Sequence, residues 1–283
     1  MIKKIFLFVS AITLVSCGNN TTTEDTNSSQ PAKDTAKPKV ISQPDNELAD
    51  FEFHTLVLNI PSPFATVGLL SKAGLAFNSS LTNPTNNSSK YITSTKKGLN
   101  YGIYIVDLVY LSTNEDYSSA KTYFKTTRQL ANDLNAAESF DKITKSKMDK
   151  GIDNKDTINK MIDQLYGEMD NYLQSNDRLL TATQIVIGSW IESQYITLSL
   201  VKDLSKDDKN QILFQKILEQ RTTATKLKEL LKQFEKEKEF KSTIADVNSL
   251  EIIYKELKQG DPDKVLLNKI FDKLSSVRKN MVN

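Results

Sequence analysis

Two carboxylates set in apolar surroundings are the side chains of this sequence best placed to do chemistry. Asp107 lies within YGIYIVDLVYL and Glu192 within IGSWIESQYI. An ionised carboxylate among aliphatic and aromatic neighbours is costly unless it is paired or hydrogen-bonded, and its pKa drifts upward. Two such acids on core helices could form a ligand site or a general-acid pair. The same pattern suits a purely structural network with tyrosine hydroxyls such as Tyr104 and Tyr195, or with Arg178 or Arg128. Trp190, two residues before Glu192, reads most simply as a core anchor. Asp107, Trp190 and Glu192 are the candidate core polar or ligand site.

Other chemistries are poorly supplied. His54 is the only histidine and Cys17 the only cysteine. Multi-histidine metal sites, thiolate zinc sites and CxxC redox pairs are therefore excluded, and a bound metal is not expected. Neither GxxxxGK[ST] nor GxGxxG occurs, so a glycine loop cradling phosphate is absent too. A Ser-x-x-Lys spacing recurs at Ser94, Ser118, Ser139, Ser199 and Ser276, but no SDN or KTG partner accompanies it. In a serine- and lysine-rich chain that spacing arises by chance. No catalytic residue and no cofactor is expected.

Cys17 has a different use. Residues 1–16, MIKKIFLFVSAITLVS, pair two lysines with an apolar run and a small-residue exit, the pattern of a secretory signal. The run is shorter than the roughly 20 apolar residues a membrane-spanning helix needs. Leu14-Val15-Ser16-Cys17 resembles the bacterial lipobox, whose cysteine is acylated and becomes the mature N-terminus. Cys17 is thus expected to be a lipid anchor, and membrane the partner it engages. The address implied is a membrane-anchored envelope lipoprotein of the outer membrane, on its periplasmic or its surface side. Loss of Lys3 and Lys4 with the signal takes Lys+Arg from 37 to 35, against 35 Asp+Glu. A neutral mature chain carries no basic stripe for nucleic acid.

The acids need helices to position them. Residues 17–46 hold the acylated cysteine and a polar, proline-punctuated tether that cannot bury a core; its reach as a coil is about 30 Å. Residues 47–283 are the folded domain. Between Pro84 and Pro262 run 177 residues without proline, which suits long helices rather than a turn-rich sandwich. The expectation is an all-α bundle of eight or nine helices near 63–75, 90–113, 117–135, 138–149, 155–175, 178–202, 206–239, 243–259 and 263–281. Residues 51–60 are at best a short extended entry. The stretch 179–201 is apolar nearly all round, so it should be the central helix, and its polar residues argue against a membrane span. Residues 231–241, LKQFEKEKEFK, read as a solvated charged end. Ser62 before Pro63, Ser205 with Asp208, and Gly260-Asp261-Pro262 read as helix boundaries.

Four stretches carry a resemblance: IPSPFATVGLLSKAG (60–74), LTNPTNNSSKYITS (81–94), LNYGIYIVDLVYL (99–111) and IGSWIESQYI (187–196). Together they resemble a family of helical lipoproteins widespread in Bacteroidetes, over roughly 60–201. Asp107, Trp190 and Glu192 fall where that family pattern has an acid, a tryptophan and an acid. The resemblance implies a lipobox, a polar tether and a helical body, and brings no established activity. Two functions remain: a non-catalytic module that binds an envelope partner, or a carrier or sensor with a small-molecule pocket between core helices.

Overall fold

A computed structural model describes residues 62–136, 178–207, 210–258 and 263–283, all within one compact unit. The expected helices at 138–149 and 155–175, the segment 51–60, His54 and Cys17 lie outside the described residues. So does the Gly260-Asp261-Pro262 boundary.

The described residues form an all-α fold. Its helices are α1 (Pro63–Lys72), α2 (Ser94–Thr113), α3 (Tyr117–Asp133), α4 (Leu179–Val201), α5 (Gln211–Leu231), α6 (Lys241–Tyr254) and α7 (Lys264–Val282), with short 3-10 turns between several of them. Local chemistry sets most ends. Thr93 caps α2 by accepting from the Lys96 N–H, and Asp116 caps α3 from the Ser119 N–H. Asp263 does the same for α7 at Val265. Gly74, at φ +71°, takes the left-handed conformation that ends α1.

Helices α2 and α4 form the centre. Every residue from Gly98 to Thr113 is buried, and α4 is buried on nearly all sides, as its apolar circumference requires. They approach closely because glycine faces backbone where they cross. A Cβ at Gly102 would collide with the Ile185 carbonyl, and one at Gly188 with the Leu99 carbonyl. The Ser189 hydroxyl donates to the Gly102 carbonyl across this contact at 3.2 Å. Helix α1 lies on both central helices and α3 on α2; α5 and α6 pair with each other, and α7 packs on α4, α6 and α2.

Three sequence expectations change. The helix expected at 206–239 stops at Leu231, and two 3-10 turns follow. The stretch 231–241 is not simply solvated: Phe234 and Phe240 turn inward and pack edge to face at 6.4 Å, while Lys232, Glu235, Lys236 and Lys238 stay outside. Two aromatic side chains hold a segment whose other residues are charged. Asp208 of the expected Ser205–Asp208 box lies outside the described residues, and the turn before α5 is built by Asp207 and Asn210. Each of their backbone N–H groups donates to the other's side chain, at 2.8 and 2.9 Å. Ahead of α2, residues 91–93 are not helical; Thr85–Lys90 form a 3-10 turn and the α-helix starts at Ser94.

Candidate functional site: a buried acid pair under a polar loop

Asp107 on α2 and Glu192 on α4 are both fully buried, and they meet. Their cation is Arg278 of α7, not Arg178 or Arg128. The Arg278 guanidinium holds Glu192 in a two-pronged pair, Nε to Oε2 at 2.5 Å and Nη2 to Oε1 at 2.7 Å. This planar match is the strongest form of carboxylate recognition. Tyr195 supports the guanidinium from below, its ring centroid 4.3 Å from the central carbon. Arg178 instead donates to the Leu134 carbonyl, and Arg128 is exposed on α3.

Asp107 has much less help. The Asn83 backbone N–H donates to Oδ2 at 3.0 Å, but Oδ1 has no N–H or hydroxyl donor. Its remaining neighbour is the Glu192 carboxylate. Burial first, and then the charge of Glu192, push the Asp107 carboxyl well above the usual range, against the opposing pull of Arg278. Burial disfavours the charged guanidinium of Arg278, but the two carboxylates outweigh that and hold it above its ordinary value.

A polar loop closes over the acids, and tyrosines fasten it. The Tyr104 hydroxyl donates to the Pro84 carbonyl at 2.9 Å, Tyr110 accepts from the Asn78 N–H at 3.0 Å, and Tyr123 shares a 2.7 Å hydrogen bond with Thr82. Asn83 is the hub: its side-chain amide donates to the Tyr91 hydroxyl, and its oxygen accepts from Asn87. Arg278 Nη2 also donates to the Leu81 carbonyl at 3.0 Å, so one guanidinium ties helix, acid and loop together. The free carbonyls at the end of α7 are met by the same region. Lys96 donates to Asn280 and Met281, Asn100 to Met281 at 2.9 Å, and Tyr91 to Val282 at 3.4 Å.

Trp190 belongs to a different network. Two residues along a helix point it about 200° away from Glu192, toward α5 and α6. Its indole N–H donates to Gln220 at 2.9 Å, and its ring lies 5.5 Å from that of Tyr254. The Tyr254 hydroxyl in turn bonds Gln194 at 3.2 Å. The structure therefore joins Asp107 with Glu192 and separates Trp190 from both. The Tyr104 hydroxyl serves the Pro84 carbonyl and the Tyr195 ring lies against Arg278, so these two tyrosines meet the loop and the guanidinium.

Sequence reading missed Arg278, and a signal for it existed. Leu267, Ile270, Leu274, Val277 and Met281 form the buried stripe of α7. Arg278 stands on that stripe, four residues after Leu274, where a cation needs a buried partner. The hub Asn83 has no comparable signal, since its role depends on a loop conformation.

The acids can bind a cation and exchange a proton. Among the described residues no group of three or more His, Cys, Asp and Glu side chains converges as a metal site, and no helix is long and apolar enough to cross a membrane. Comparison with protein-family models, curated proteins and solved structures finds no match for this chain.

Proposed function

We propose that this chain is a lipid-anchored envelope protein, held by acylated Cys17 on a polar tether, whose helical body is a binding module rather than an enzyme. The observation that supports the non-catalytic reading is how the acid pair is spent. Both Glu192 oxygens serve Arg278, and Asp107 serves the Asn83 backbone, so the acids fasten α2, α4, α7 and the 78–91 loop to one another. A general acid needs a path to a substrate atom; these groups face each other. The envelope address rests on the signal-like start and the Leu14–Cys17 tetrad. The partner is an envelope protein met within the tether's reach of the membrane.

The test begins with the anchor. The Cys17→Ser variant should lose incorporation of labelled fatty acid and keep its signal segment uncleaved. Crosslinking in intact cells should then join the wild-type protein, and not the variant, to a defined envelope protein. Equal labelling of the two would remove the anchor. A wild-type protein that crosslinks to nothing but turns over an envelope metabolite would remove the binding-module reading.

A further inference from the structure

We propose that Asp107 and Glu192 share one proton, and that this proton latches the C-terminal helix α7 and the 78–91 loop onto the two central helices.

The argument starts from a charge count. Two carboxylates face one guanidinium in a site closed to water, so full ionisation would leave an uncompensated negative charge there. One proton makes the cluster neutral. Its position follows from the partners. Glu192 is held at both oxygens by Arg278, which favours the carboxylate form. Asp107 has one neutral backbone donor at Oδ2 and none at Oδ1. A proton on Asp107 Oδ1 turns that orphaned atom into the donor of a hydrogen bond to Glu192, and both Asp107 oxygens are then partnered.

Among the described residues, Arg278 is the cation that acts on Asp107. From its own helix Asp107 meets Tyr104, from α3 Tyr123, from the loop side Tyr91, from α4 Glu192, and from α7 Arg278. The tyrosines are pushed upward by burial and stay neutral. Arg278 is matched to both oxygens of Glu192 and offers Asp107 no hydrogen bond. Asp107 is thus the group of the cluster that titrates.

The consequence has a definite sign. The folded state binds a proton that an unfolded aspartate, with its ordinary value of 3.8, releases. The stabilisation is complete below that value and is lost as pH rises toward the raised folded value. Across that window the closed arrangement weakens about tenfold per pH unit. The parts affected meet at this cluster: α7 through Arg278, and the loop through Asn83 and Leu81. The latch grips in acid and loosens in alkali, a device independent of what the module binds.

Infrared spectroscopy and hydrogen exchange on the full chain test it, with Asp107→Asn as reference. An asparagine amide can donate to Glu192 and accept from Asn83, so D107N should fold and mimic the protonated state at every pH. At neutral pH the wild type should show a protonated-carboxyl stretch that D107N lacks. The ratio of wild-type to D107N amide protection in 264–282 and 78–91 should fall about tenfold per pH unit until that band disappears, then level off. A wild type without the band overturns the proposal. So does a band whose loss leaves protection in both segments unchanged, and so does a D107N that cannot fold.

Discussion

Glu192 and Glu251 are both buried glutamates paired with cations, yet the structure uses them in opposite ways. Glu192 is 0% exposed and its Arg278 partner only 12%. Glu251 is 1% exposed, but Lys228 and Lys255, which meet its two oxygens, are 38% and 53% exposed. In the first pair both charges have left water, so each depends on the other. In the second only the carboxylate has, and flexible ammonium groups reach in from solvent. Ion pairs of the first kind contribute little when compared with an apolar replacement of both partners, and cost much when one partner is removed. Those of the second kind are screened and replaceable. Removing one partner from each pair should separate them.

The largest effect is expected for Arg278→Met. It keeps much of the side-chain volume but strands Glu192 beside Asp107 with no cation, and frees the Leu81 carbonyl. At neutral pH the loss should be about 3–5 kcal/mol, read by urea unfolding. A loss under about 1 kcal/mol would mean that the pair is not the closed, dry contact described.

Trp190 supplies a neutral yardstick on the same helix. Trp190→Phe removes the indole donor and leaves the buried Gln220 oxygen without it. The cost should be about 1–3 kcal/mol. No group in that network titrates near neutrality, so the cost should not vary from neutral pH down to mild acid. If it did, Trp190 and Glu192 would be coupled after all, and the separation of the two faces of α4 would fail.

That separation also marks what a sequence can convey. Helix α4 was legible because its apolar residues fill the whole circumference over 179–201, so only a central position buries them. The two acids were legible for the converse reason, each being a charge in a run with no solvent face. Arg278 was not, although it lies on the apolar stripe of α7, because pairing it with Glu192 requires knowing which helices touch across 86 positions. The close crossing of α2 and α4 was equally hidden. Gly98 and Gly102 stand four apart and so share one helix face, but only the neighbouring Gln184 side chain and Ile185 backbone show why a side chain cannot replace them. The stretch 231–241 misled for a related reason: its charges dominate the composition, while two phenylalanines decide where it goes.

The smallest effect belongs to Glu251, and it should also have the opposite pH sign to Asp107. Burial raises the Glu251 pKa, but the hydrogen bonds and charges of Lys255 and Lys228 outweigh it, and the net shift is downward from 4.5. A lowered carboxyl contributes stability above the unfolded value and loses it as pH falls through the folded one. Glu251→Gln should therefore flatten the acid side of the stability curve, where D107N flattens the side that declines toward alkali. At neutral pH the cost should be about 1 kcal/mol or less, since either lysine can return to water. Added salt should shrink it further, because the lysines are exposed to screening, whereas salt should barely change the cost of Arg278→Met. Urea unfolding of the two variants at low and high salt measures both differences. A Glu251→Gln cost that matches Arg278→Met, or that ignores salt, would show that burial of the carboxylate alone sets the energy. The exposure of its cation would then have no part in it, and the contrast between the two glutamates would collapse.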